Sequence, residues 1–258
     1  MCAVARAAPT AAQSGRRRGI RWRVSPTDEA LLDNPAYASL CGAHARFAQV
    51  RGRVRRYPAD VAPFLGMPFP PSPQDWRDAA ELVAPGDYAA VPYSGAALPD
   101  AWRAVAAFDL VQMIGERVSG ADCVEAIPLS AADVPEMMEL GARTEPGPFL
   151  TRTIELGDYL GIRSAGALVA MAGERFQLDG WTEISAVCTS PEHRGQGLAS
   201  QLVGALIARI QLRSQRVFLH VLRTNTGAIR LYEELGFRVR QTATITVVTH
   251  EGLGDPQT

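Results

Sequence analysis

The ten residues Ser190-Pro191-Glu192-His193-Arg194-Gly195-Gln196-Gly197-Leu198-Ala199 constrain this chain more than any other stretch. A strand-like run, Glu183 to Thr189, leads into them. A run with Leu198, Leu202, Leu206, Ile207 and Ile210 at helical spacing leads out. Two glycines in the turn permit a tight backbone path and remove side chains that would block a ligand. The first amides of the helix that follows have no carbonyl partners and point outward, which suits a phosphate or pyrophosphate. Arg194 adds positive charge beside them. A Gly-rich turn of this kind also serves as a plain strand-helix corner, so the spacing has to discriminate. Gly-Lys-Ser/Thr is missing, which excludes the nucleotide P-loop. Ser200 stands where the dinucleotide fingerprint has its third glycine, which excludes that motif too.

The turn reads Arg-x-x-Gly-x-Ala, one form of the acyl-CoA signature Gln/Arg-x-x-Gly-x-Gly/Ala. Asn225, Ala228, Tyr232 and Gly236-Phe237 follow downstream. In these motifs the chain resembles the GNAT superfamily of N-acetyltransferases, over roughly residues 121 to 250. The resemblance implies a mixed α/β sheet of the GNAT-like acyl-CoA fold, with acetyl-CoA as co-substrate and an amine as acceptor. It implies that Arg194, Gly195, Gln196, Gly197, Leu198, Ala199 and Ser200 hold the pyrophosphate. Backbone groups of Val187, Cys188 and Thr189 would pair with the pantetheine arm, much as an added strand pairs with a sheet edge. That pairing requires the strands 183–189 and 216–222 to splay apart.

Glu183 lies fourteen residues before Gly197. In the histone-acetyltransferase branch of the superfamily a strand Glu at that spacing is the general base, so Glu183 is the candidate here. In a partly apolar cleft its pKa is expected to rise. A structural carboxylate at the start of a strand is the alternative. Tyr232, two helical turns beyond Asn225, is the candidate general acid; a core tyrosine is its alternative. Asn225 either bonds the pantetheine arm or caps its helix. Phe149 and Arg152, in the Pro/Gly-rich stretch after the first helix, and His220, in mid-strand, are candidate substrate contacts. Cys188 reads as a wall residue, because no His is placed by sequence to activate it. A non-catalytic acyl-CoA-binding sensor stays open as the second reading.

Composition narrows the remaining classes. The four cysteines, Cys2, Cys41, Cys123 and Cys188, form no Cys-x-x-Cys pair and read as free thiols of a reducing, cytoplasmic compartment. With four scattered histidines, no metal is expected. No stretch approaches the length of a membrane span. All 26 basic residues are Arg. Residues 1–56 carry a formal +8 (eleven Arg against Asp28, Glu29 and Asp33), which leaves the rest at −9. An acidic remainder argues against nucleic acid as partner, although the Arg-rich start keeps that option and a transit peptide in view.

The expected organisation is an Arg-rich tail (1–24), a smaller N-terminal α/β domain (25–118), the GNAT-like domain (119–250) and a short tail (251–258). The N-terminal domain is either a degenerate copy of the second or an unrelated cap. It is expected to contain a helix over 31–40, a strand or hairpin over 44–57, a Pro-rich linker from Pro58 to Pro73, a helix from Pro73, and strands at 88–93 and 104–114. The second domain should begin with a strand over 123–128 and a helix capped by Ser130. A hairpin (159–163, 167–173), the strand 183–189, a long helix, a buried strand 216–222 and a helix from Asn225 should follow. Residues 237–248 should form an exposed outer strand, which leaves a homodimer open.

Overall fold

The computed structural model of the chain describes residues 29–92 and 97–251. The expected tails, 1–24 and all but the first residue of 251–258, lie outside them. Eight strands form one sheet in the order β4-β11-β5-β10-β9-β8-β7-β6. Their ranges are β4 Ala89–Pro92, β5 Trp102–Gly115, β6 Ile127–Pro128, β7 Tyr159–Ser164, β8 Ala167–Leu178, β9 Trp181–Thr189, β10 Arg216–Leu222 and β11 Arg238–His250. Only β9 and β10 pair in parallel; the other contacts in this sheet are antiparallel. A parallel pair needs a crossover, and the helix α4, Leu198–Leu212, supplies it. A three-stranded sheet is formed by β1 Gln49–Arg51, β2 Val54–Arg56 and β3 Leu65–Gly66. The helices α1 Pro35–Cys41, α2 Pro73–Leu82, α3 Val134–Thr144 and α5 Thr226–Glu234 complete the elements.

Most local readings hold. Ser72 opens α2 with a reciprocal capping box to Asp75, and Ser130 does the same with Asp133 ahead of α3. The strand expected over 123–128 shrinks to Ile127–Pro128. The hairpin strand expected to end at Gly173 runs on to Leu178.

Three expectations are corrected or refined for non-local reasons. The Pro-rich stretch is not a linker: Val61, Phe64, Leu65 and Met67 between its prolines are buried, because they fill the core under the large sheet and the small one. The strand 238–250 is an outer strand only in part: β5 flanks it on one side, and β4 covers its other edge over Ile245 to Val248, which leaves Arg238 to Thr244 without a strand partner there among the described residues. The boundary expected near 118 does not separate two sheets. β5 lies between β10 and β11, so a strand from before the boundary completes the sheet after it.

Side chains alternate across each strand. Ile184, Leu219 and Val221 face α4 and α5 in one apolar core, the α4 face. On the opposite face α3 covers Met171, Ala186 and Cys188, and the segment 29–64 covers Phe176, Trp181 and Phe218. This second side is the α3 face. The covering segment is locked down by polar contacts. His44 bonds Tyr57 Oη at 2.9 Å through Nδ1 and the Leu156 carbonyl at 3.1 Å through Nε2. Thr153 Oγ1 donates to Val61 O, and Gln177 N to Ser39 Oγ. Each large side chain buried here, Leu32 and Tyr57 among them, contributes about 1.5–3 kcal/mol.

Candidate active site

The site begins where β9 and β10 part. Their pairing runs from Arg216 opposite Trp181 to Leu219 opposite Ile184 and stops, although β9 continues to Thr189 and β10 to Leu222. The cause sits in β9. Ala186 has φ 53°, and two β9 residues oppose one of β8 between the pairs Gly173–Ser185 and Met171–Cys188. An extra residue bends its strand and increases the local twist. Beyond it the other edge of β9 still pairs with β8, at Cys188 and Thr189. The edge from Ser185 to Thr189 that faces β10 has no strand partner among the described residues. Val187 packs toward the α4 face, whereas Cys188 is buried on the α3 face, where burial raises its thiol pKa.

The free edge runs into the glycine turn. Gly195 and Gly197 adopt φ 77° and 75°, the left-handed region that side chains other than glycine rarely occupy. A Cβ on Gly195 would meet nothing within 4 Å, and one on Gly197 only Gln201 Nε2 at 3.9 Å, so the space above the turn is open. The first helical link is Gln201 N to Gly197 O. The preceding amides of Leu198, Ala199 and Ser200 therefore have no carbonyl within the helix. Arg194 and Gln196 are exposed beside them, and Arg194 Nε reaches back to Thr189 O at 3.4 Å. His193 Nδ1 is bonded to Ser190 Oγ. Open backbone at a helix start, next to an exposed guanidinium, fits a diphosphate.

On the α3 face a buried polar chain crosses five adjacent strands. Arg175 on β8 donates to Glu183 on β9 through Nε and Nη2, both at 2.7 Å. Glu183 Oε1 lies 2.6 Å from His220 Nδ1 on β10. His220 Nε2 lies 3.0 Å from Gln112 Nε2 on β5. Gln112 Oε1 accepts from Arg240 Nη1 on β11 at 2.8 Å, and Gln112 Nε2 also donates to Leu32 O at 2.7 Å. Arg240 ends the chain on Asp33 and Glu29.

Both ends of the chain dictate the same protonation pattern. A guanidinium only donates and a carboxylate only accepts, so Glu183 requires a proton on His220 Nδ1. Arg240 likewise requires the oxygen of Gln112, which turns the amide nitrogen toward His220 and makes Nε2 an acceptor. Only the neutral, Nδ1-protonated imidazole matches both neighbours.

This arrangement reverses the expected titration of Glu183. Burial alone would push its carboxyl up; the charge and hydrogen bonds of Arg175, with the bond to His220, overcome that and hold it down to about 2. Glu183 has no exposed surface, and its two oxygens are taken by Arg175 and His220. Arg175 lies 5.0 Å over the Phe64 ring and 5.1 Å over that of Phe176.

The structure unites Glu183 with His220 but not with Tyr232. Tyr232 belongs to the apolar core of the α4 face, 5.9 Å from the Phe237 ring, and burial pushes its hydroxyl pKa up to about 12. The two candidate catalytic groups thus lie on opposite faces of the sheet. Asn225 turns back on its own helix and caps it, Oδ1 accepting from Ala228 N at 3.1 Å. Phe149 is buried edge-on to Tyr159. The Arg152 guanidinium is committed to Glu155 and Asp60, where it joins the segment 29–64 to the rest. Sequence reasoning missed Arg175, Gln112 and Arg240, which belong to no motif. Among the described residues no cluster of His, Cys, Asp and Glu is suited to a metal, and no helix is long and apolar enough to cross a membrane.

Residues 159–246 match the FR47-like protein family. A protein of Novosphingobium aromaticivorans assigned to the GNAT acetyltransferase family has a crystal structure that is 35% identical to this chain, with a TM-score of 0.79. The likeness covers 85% of this chain and 98% of that one. A mycothiol acetyltransferase of Thermobispora bispora is 45% identical over 56 residues, 21% of this chain and 19% of its own length. The uncharacterized N-acetyltransferase YobR of Bacillus subtilis is 33% identical over 61 residues, 23% of this chain and 25% of its own length. The chain therefore spans only a fifth to a quarter of the curated relatives it matches.

Proposed function

The chain belongs to the GNAT family of acetyltransferases, and from that premise we propose that it moves the acetyl group of acetyl-CoA to a primary amine by direct attack in a ternary complex. The observation that carries the reading is the fork between β9 and β10, which opens after Ile184 and leads along a free strand edge to an uncovered glycine turn. Acetyl-CoA supplies an activated acyl group with a thiolate leaving group. The residues of the chain do the rest. Amides at 198–200 and Arg194 hold the diphosphate. The free edge of Val187 to Thr189 pairs with the amides of the pantetheine arm and keeps the thioester at the fork. A backbone N–H near Val187 or Cys188 would serve the carbonyl oxygen, where a fixed donor stabilises developing negative charge. Tyr232, protonated at neutral pH, donates to the departing sulfur; a thiol titrates near about 8.5, so modest help suffices. Holding both reactants in one orientation supplies much of the rate. The acceptor is an amine of a small molecule, peptide or protein.

One observation favours a second reading, a non-catalytic acyl-CoA sensor: both oxygens of Glu183 are occupied within the protein. Calorimetry with acetyl-CoA, followed by thiol release in the presence of an amine panel, separates the two. Binding with release supports the transferase. Binding without release on any amine supports the sensor, and failure to bind at millimolar acetyl-CoA ends both.

A further inference from the structure

We infer that His220 is the group that takes the proton from the acceptor amine, and that Glu183 is its positioning residue and not the base. The inference rests on the transferase reading above. Its ground is placement. The last paired residues of the fork are Ile184 and Leu219, so Glu183 stands one residue before the parting and His220 one residue after it, on the same face. The thioester carbonyl held at the fork therefore has this pair beside it on the α3 face, opposite Tyr232.

Chemistry separates the partners. Glu183 is completely buried and ion-paired through both oxygens, so an incoming proton would have to displace Arg175. His220 Nε2 holds an unprotonated lone pair, fixed by the tautomer that Glu183 imposes through Nδ1. Its partner there, Gln112 Nε2, is a neutral donor that keeps Leu32 O and Arg240 as anchors if it yields the place. An amine N–H is the same kind of donor as the amide it replaces. In the step, the amine nitrogen bonds to the acyl carbon as the C–S bond breaks. The proton on nitrogen passes to His220 Nε2, and Tyr232 gives its proton to the sulfur; His220 then releases its proton to solvent and Tyr232 recovers one, so both groups return to their starting state. The imidazolium so formed keeps the Glu183 carboxylate as its counter-charge, the relation found in carboxylate–imidazole pairs of hydrolases. The groups facing His220 are Glu183 on β9, backed by Arg175 on β8, and Gln112 on β5, backed by Arg240 on β11. Tyr57 and Tyr159 lie within electrostatic reach of Glu183.

The test uses the full chain, an amine that supports thiol release, and His220→Asn, which retains a donor toward Glu183 but no Nε2. A positioned base contributes about 10²–10⁴-fold. The variant is expected to lose at least about 100-fold in kcat with an unchanged KM for acetyl-CoA, and circular dichroism should match the parent. A rate within threefold of the parent would overturn the assignment while leaving the transferase standing. Thiol release from no amine, with acetyl-CoA bound, would sink the transferase and the base together. Should the variant fail to fold, nitrogen-15 shifts of the parent imidazoles decide: the inference requires a proton on His220 Nδ1 and none on Nε2 at neutral pH, and the opposite tautomer refutes it.

Discussion

The glycine turn and the polar chain lie at opposite ends of the free β9 edge and are built on opposite terms. The turn is exposed, contiguous in sequence and made of backbone; its conformation follows from glycines at two positions. The polar chain is buried, drawn from five strands, and made of side chains whose protonation states are set by one another. The first can change at little cost in stability, and the second cannot. Binding and catalysis should therefore respond differently to substitution: the turn through affinity alone, the polar chain through stability as well.

The sharpest way to break that contrast is Glu183→Gln. It leaves the Arg175 guanidinium buried without its counter-ion, and removing one partner of a buried pair costs about 3–5 kcal/mol. The denaturation midpoint should fall accordingly at neutral pH. The sign with pH follows from the depressed carboxyl. With a folded value of about 2 and an unfolded one near about 4.3, the stabilisation is complete above the unfolded value. It is lost as pH falls through the window between them. The gap between parent and variant, measured by urea denaturation, should close across that window. A variant as stable as the parent at pH 7 would show that the pair does not hold the sheet.

Next in size is Gly197→Asp. The new side chain sits at φ 75° and puts a negative charge where the diphosphate is expected. Acetyl-CoA affinity should drop by about 100-fold or more, about 2.7 kcal/mol by calorimetry. Stability should change far less, because a Cβ there touches only Gln201 Nε2 and Asp tolerates the left-handed region. Equal losses of affinity and stability would erase the distinction between turn and chain.

The same distinction explains what was legible in the sequence. The turn, α4, the buried strand β10 and the cap at Asn225 are local, and their residues announce them. The fork was expected, but its cause was not: Ala186 in the left-handed region carries no sequence mark, since alanine rarely goes there. Glu183 was singled out by spacing, yet its titration was inverted, because Arg175 and His220 reach it from other strands. Gln112 was invisible for a topological reason. It lies before the presumed domain boundary, and nothing local says that β5 inserts between β10 and β11. The Pro-rich stretch misled in the same way, since proline excludes regular structure but not burial of the residues between.

The smallest effect sharpens the comparison at a residue with two readings. Asn225 accepts from Ala228 N as an N-cap, and loss of such a cap costs about 1 kcal/mol. Asn225→Ala should lower stability by that amount while acetyl-CoA affinity stays within about twofold, a change under about 0.5 kcal/mol. The amide that caps the helix is then spent inside the protein, like the groups of the polar chain. The reverse result, unchanged stability with a tenfold loss of affinity, would move Asn225 to the binding surface with the turn. It would also mean that α5 starts without its cap, with the Ala228 amide left to solvent.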